Sequence, residues 1–182
     1  MVIAHRIGPA TYERLAVAAE NRFVELRDGV LVEKPPMTIG HTRTIDRFAR
    51  ELLPQLDRDR YVVSIGGSRL RVGDTYVIPD LVVVPAPTEQ AYFDRDPDRL
   101  AVYAEPMPLV VEVWSLSTGR YDVSTKIPLY RQRGDGEIWF AHPVERTVTA
   151  WVRRADGAYA EWLHRGGTIE SAALPGVTID LA

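Results

Sequence analysis

Two short apolar runs, each interrupted by a single acid, stand out in the pattern of hydrophobic and polar positions. The first is Val77-Ile78-Pro79-Asp80-Leu81-Val82-Val83-Val84, and the second is Leu109-Val110-Val111-Glu112-Val113-Trp114. Runs of this length, rich in β-branched residues, predict buried strands. Upstream, Thr11 is placed to cap a short alanine-rich helix reaching about Ala19. Alternating residues 23–27 and 30–33 flank Asp28-Gly29, which signals a β-hairpin closed off by Pro35-Pro36. Residues 38–56 carry apolar positions at three- and four-residue steps, predicting the longest helix, with Pro54 ending or kinking it. Residues 61–65, residues 68–72 and the Asp80 run, joined by short turns, predict an antiparallel meander. The proline- and charge-rich residues 85–108 read as a surface loop with at most a short helical turn, long enough to cover a neighbouring site. A helix beginning near Ser124 or Thr125 accommodates Pro128 in its first turn and ends at Gly134. Residues 137–141, 147–153 and 159–164 then read as three strands. A strand, a helix and a strand in succession predict a parallel crossover. The expected fold class is therefore α/β (α+β mixed): a mixed central sheet flanked by helices, with an N-terminal hairpin.

With 182 residues and neither repeat nor low-complexity tract, residues 1–182 are expected to form one domain. The opening Met1-Val2-Ile3-Ala4-His5-Arg6 lacks a sustained apolar stretch, and no apolar run approaches the roughly 18 residues of a membrane span. No signal peptide and no membrane segment are therefore expected. The chain has no cysteine, which removes disulfides and thiolate chemistry and fits a cytoplasmic protein. Net charge is −3, and no block of basic residues dominates. Contact with nucleic acid would therefore need a local patch, metal neutralisation or a second subunit.

Asp80 and Glu112 carry the chemistry. An ionised carboxylate among apolar residues is costly unless it is paired or binds a metal. Each acid also has a structural reading: Asp80 at a strand bend, bonded to backbone amides, and Glu112 in a salt bridge with an arginine or Lys126. Together they suit a hard divalent cation, Mg2+ or its substitute Mn2+, which takes one or two carboxylates plus water and phosphate oxygens. Lys126 downstream would orient or deprotonate an attacking water and offset negative charge, pointing to phosphodiester hydrolysis.

Pro79-Asp80, Glu112-Val113-Trp114 and Lys126 resemble the PD-(D/E)XK nuclease-like superfamily. The segment LVVEVWSLSTGRYDVSTKIPLYRQRGDGEIWFAHP is similar, more closely, to the Uma-type family of putative restriction endonucleases. Glu112, Ser115, Ser117, Thr118, Asp122, Lys126, Tyr130, Glu137 and Trp139 occupy matching positions, as do Glu25, Gly29, Glu33, Pro36 and His41 in the opening and Leu174-Pro175-Gly176 near the end. The resemblance implies that Asp80 and Glu112 hold the metal, with the Val113 carbonyl as a further ligand. It also implies that Lys126 replaces the lysine usually found where Trp114 stands. Leu116 and His142 depart from the family pattern, at positions that more commonly hold proline and aspartate; neither is a proposed ligand.

Four other residues are supporting candidates with bland alternatives. Glu33 is a third acid or an exposed strand end. His41 is a phosphate contact or proton shuttle, or a surface or capping residue. Tyr130 packs in the core with its hydroxyl at the cleft edge. Asp122 shapes the turn or caps the helix. The function this predicts is a metal-dependent endonuclease acting on DNA. The alternative is a catalytically silent nuclease-fold protein that binds nucleic acid or regulates. A symmetric homodimer would be the simplest means of cutting both strands.

Overall fold

The computed structural model describes residues 6–181. The stretch read for a signal peptide lies largely outside them. Helix α1 (Pro9–Ala16) stops short of Ala19. The Asn21 side chain donates from Nδ2 to the Leu15 carbonyl, 3.0 Å away, and so satisfies an open helix end. Strands β1 (Val24–Arg27) and β2 (Val30–Glu33) form the expected antiparallel hairpin. Its turn needs positive φ at both Asp28 (47°) and Gly29 (82°), which is why this pair serves there. Helix α2 (Ile39–Leu52) is N-capped by the Thr38 hydroxyl and closes just before Pro54.

The predicted meander is the main departure. Strands β3 (Tyr61–Ile65), β4 (Arg69–Val72), β5 (Thr75–Val77) and β6 (Leu81–Pro85) divide between two sheets. β4 pairs with β5, whereas β3 pairs with β6. The run 77–84 is therefore two strands, broken over Ile78-Pro79-Asp80. Pro79 has no amide to give a ladder, and the chain uses that break to cross from one sheet to the other. Residues 85–108 also differ from the expected loop. They contain a ten-residue helix, α3 (Ala86–Arg95), entered through proline at its first turn, and a short strand, β7 (Val102–Tyr103). α3 grows from the end of β6 remote from Asp80, so it does not cover that residue.

Strand β8 (Leu109–Val113) leads through helix α4 (Gly119–Tyr121), a π-helical turn at Asp122–Lys126, and helix α5 (Ile127–Arg133) into β9 (Glu137–His142). β8 and β9 are parallel, as the crossover pattern requires. Strands β10 (Thr147–Arg153) and β11 (Tyr159–Arg165) continue that sheet, and β12 (Thr168–Glu170) pairs with β13 (Thr178–Asp180) in a separate ribbon. The larger sheet runs β11-β10-β9-β8-β6-β3, and the smaller runs β2-β1-β5-β4-β7.

Both faces of the larger sheet are covered. Leu81, Val83, Leu109, Val111 and Val113 pack against Ile45, Phe48 and Leu52 of α2 and against Ile169 and Ile179 of the ribbon. Val82, Val84 and Val110 face the other way, toward Ile127 and Tyr130 of the second helical unit and Leu70 and Val77 of the smaller sheet. Glu112 is two residues from Val110, so strand alternation turns it to this second face. Among the described residues no helix is long and apolar enough to cross a membrane.

Candidate active site

β6 and β8 are antiparallel, with Leu81 opposite Val111. Continuing that register by one residue sets Asp80 opposite Glu112, at the strand ends where the sheet stops. The Val113 amide donates to Asp80 Oδ2 at 2.8 Å, which locks the carboxylate there. Val113 thus meets the site through its amide; nothing described directs its carbonyl at the acids. Asp80 is 3% exposed and Glu112 1%.

Two cations complete the arrangement, and they are the only lysines in the chain. Lys126, on the π turn, brings Nζ to 3.1 Å from Glu112 Oε1, 3.1 Å from Glu25 Oε1 and 3.6 Å from Asp122 Oδ1. Lys34, just after β2, lies 3.0 Å from Asp80 Oδ1. Both ammonium groups also donate to the Ile78 carbonyl at 3.0 Å, and the Ile78 amide donates to Glu25 Oε1 at 2.8 Å. The break before Pro79 is therefore a polar hub: its freed backbone groups bind the charged side chains that a ladder would have excluded.

His41, in the first turn of α2, approaches Asp80 Oδ2 with Nε2 at 2.9 Å. With Asp80 ionised, Nε2 carries the shared proton and donates it. Nδ1 is then a buried ring nitrogen with no hydrogen-bond partner among the described residues. The Tyr130 hydroxyl donates to Glu112 Oε1 at 2.5 Å. Lys126 and Tyr130 both donate to Glu112 at the same oxygen, Oε1. Glu33 is exposed at the end of β2 and lies outside this buried network.

Charge balance sets the protonation preferences. Burial raises Asp80, but Lys34, the His41 bond and Lys126 outweigh it and hold the carboxyl well below its usual range. At Glu112 burial wins over Lys126, and with Asp80 and Asp122 nearby the carboxyl is pushed well up. Burial alone would lower Lys126, yet Glu112, Glu25, Asp122 and Asp80 reverse this and keep it an ammonium. Burial also raises Tyr130, reinforced by Glu112, so it stays a hydroxyl donor. Were all four buried acids (Glu25, Asp80, Glu112, Asp122) ionised, they would outnumber the two ammonium groups by two; burial relieves this by raising Glu112 and Asp122 toward their protonated forms. A divalent cation would favour the ionised forms instead. Among the described residues no three His, Asp or Glu side chains converge as a ready ligand set. Magnesium does not require one, since it usually binds through one or two carboxylates and completes its shell with water.

Asp80, Glu112, His41, Lys34 and Lys126 line a cavity of about 10 Å³, enough for one water or ion. The serine-rich turn closes its rim: Ser115 Oγ lies 2.7 Å from Thr118 Oγ1 and 3.2 Å from Ser117 Oγ. Of the residues singled out from the sequence, Asp80, Glu112, Lys126 and His41 line this cavity, and Tyr130 bonds to Glu112 behind it. Lys34 went unnoticed, Glu25 was only a matched position, and Asp122 was read as turn chemistry. Lys34 had a signal of its own, because it is one of only two lysines among the 22 lysines and arginines of the chain. Glu137 and Trp139, at matched positions, lie at the start of β9, opposite Leu109 and Val111. There Glu137 accepts from Trp139 Nε1 at 2.7 Å and from Ser171 at 2.6 Å, tying the C-terminal ribbon to the sheet.

Acids at the ends of adjacent strands, a helix-borne lysine and a mixed sheet between helices define a protein of nuclease-like fold. A solved structure described as a putative nuclease belonging to DUF820, from Anabaena variabilis, superposes with a TM-score of 0.64 over 87% of each chain. At 14% identity, that likeness establishes the shared fold. The family model described as "Uma2: Putative restriction endonuclease" matches residues 9–182, and the chain belongs to that family. No curated protein matches it.

Proposed function

We propose that this chain is an endonuclease that hydrolyses DNA phosphodiester bonds with Mg2+, or Mn2+ in its place, held by Asp80 and Glu112. The observation that carries the proposal is the meeting of those two acids, from the ends of paired strands β6 and β8, on one small cavity that Lys34 and Lys126 also line. When bound, the cation polarises a phosphate oxygen and acidifies a water. Lys126, fixed as an ammonium, is suited to stabilising the charge that builds on the phosphoryl oxygens rather than to taking a proton. Lys34, at the mouth of the site, supplies a second positive charge toward the substrate strand. His41 holds Asp80 through Nε2. Tyr130 fixes Glu112 by bonding Oε1, so Oε2 would be the oxygen offered to a cation. The reaction joins a water oxygen to phosphorus and breaks one P–O bond of the backbone.

A second reading, a nuclease-fold binding protein without turnover, draws on the saturation of Asp80. Both its oxygens already accept hydrogen bonds, from Lys34, His41 and the Val113 amide. Cleavage of single- and double-stranded DNA in Mg2+ and Mn2+ separates the two. Wild type should cut, and Asp80→Asn, Glu112→Gln and Lys126→Met should each lose about 10²-fold or more. Equal activity in wild type and Glu112→Gln would remove the assignment. A second copy would be the simplest means of cutting both strands, and the exposed Trp162 and Leu163 on edge strand β11 offer apolar surface for it.

A further inference from the structure

Beside the catalytic cavity lies a much larger groove of about 690 Å³, which shares Lys34 and Asp80 with it. Phe23, Met37 and Ile65 form exposed apolar walls, Pro35-Pro36 stiffen one side, and Asp46 and Glu33 stand at the rim. We infer that this groove receives an unpaired nucleobase next to the scissile phosphate, so that the chain acts on single-stranded or locally opened DNA. The inference rests on the nuclease reading and names its substrate class.

Four observations lead there. The catalytic cavity holds no more than a water or an ion, so the body of any substrate must occupy adjoining space. The groove begins at Asp80 and Lys34, so its occupant is continuous with a phosphate seated at those residues. Its apolar walls give a phosphate no partner and the exposed Glu33 disfavours one, whereas a base offers flat apolar faces and edge N–H donors that a carboxylate accepts. Finally, the volume lies in the range of small-ligand pockets and suits one nucleoside, and a base still paired in a duplex cannot enter it. With a net charge of −3 and no basic run, the chain lacks the field that tracks duplex backbone. Burial of a base would supply the affinity instead.

The test is fluorescence anisotropy with one DNA sequence, single-stranded and duplex, carrying 2-aminopurine at successive positions. Single strand should bind at least about tenfold tighter than duplex, with a 2-aminopurine emission change at one position only. Thr42→Trp fills the groove from an exposed position on α2, and Ile65→Glu places charge on its wall. Each variant, with wild-type circular dichroism and Mn2+ binding, should lose that preference and that signal. Equal binding of duplex and single strand without an emission change would overturn the inference, as would unchanged single-strand affinity in both variants. Binding with the emission change but without cleavage would instead reject the nuclease reading and leave the groove assignment standing. Cleavage without the emission change would do the reverse.

Discussion

Lys126 is 1% exposed and has carboxylate oxygens of three residues within 4 Å, an arrangement stable only if the ammonium is never lost. Its neighbour Glu112 is the acid that holds a proton most readily, because burial and the adjacent acids raise it beyond what Lys126 offsets. The consequence has a definite sign. A raised carboxyl stabilises the metal-free fold below its unfolded value, and that contribution fades as pH rises through the folded value. Cation binding needs the carboxylate, so affinity should increase with pH and binding should release a proton. Calorimetric titration with Mn2+ at about pH 6 and about pH 8, in buffers of different ionisation enthalpy, should show tighter binding at the higher pH. At this scale the sequence was informative where an acid interrupted an apolar run, as at Glu112. For Lys34 it offered only the scarcity of lysine, since its neighbours are a strand end and two prolines and its role arises from contact with a residue 46 positions away.

Among the elements, the helical segment after β8 is the one most specifically built. The π turn carries Asp122 and Lys126 on one side of the chain, so both reach the cavity, and it precedes Pro128, which has no amide to donate. Its start depends on Gly119. A Cβ there would lie 2.2 Å from Trp114 Nε1, and the indole cannot easily yield because it stacks on His142 at 4.3 Å. Gly119→Ala should therefore cost about 1–3 kcal/mol by overpacking, against a helix-propensity gain of at most about 1 kcal/mol. Urea denaturation of the variant measures the difference, and a stabilised variant would contradict the packing described. The hairpin, α2 and the β8–β9 crossover were legible because local chemistry decides them: a turn dipeptide, a cap and an apolar period. The break at Pro79 was not, since Val77 and Leu81 are equally apolar and only their partners on different sheets distinguish them. Helix α3 was hidden by its prolines and charges, which read as loop although proline is well tolerated in a first helical turn.

For the whole molecule, the question is what holds the two sheets in register around the site. Part of the answer is Arg133 at the end of α5. It pairs with Asp135 at 3.1 Å and donates to the carbonyls of Arg71, Tyr103 and Glu105, so one side chain joins the helical crossover to the smaller sheet. Asp135 also accepts from the Met107 amide at 2.7 Å. Asp135→Ala would leave a buried guanidinium unpaired and should destabilise the fold by about 3–5 kcal/mol. Thermal and urea unfolding check this, and a loss below about 1 kcal/mol would show that the clamp is dispensable.

Everything proposed for the site depends on Asp80 and Glu112, brought together by two antiparallel strand ends, sharing one divalent cation. Diffraction from a crystal soaked in Mn2+ addresses it directly through anomalous scattering. A single strong peak should lie between the two carboxylates, with the Lys126 ammonium close by and Asp80 and Glu112 as its protein ligands. A map with no peak there, with Lys34 still on Asp80 and Lys126 still on Glu112 at saturating Mn2+, would contradict it.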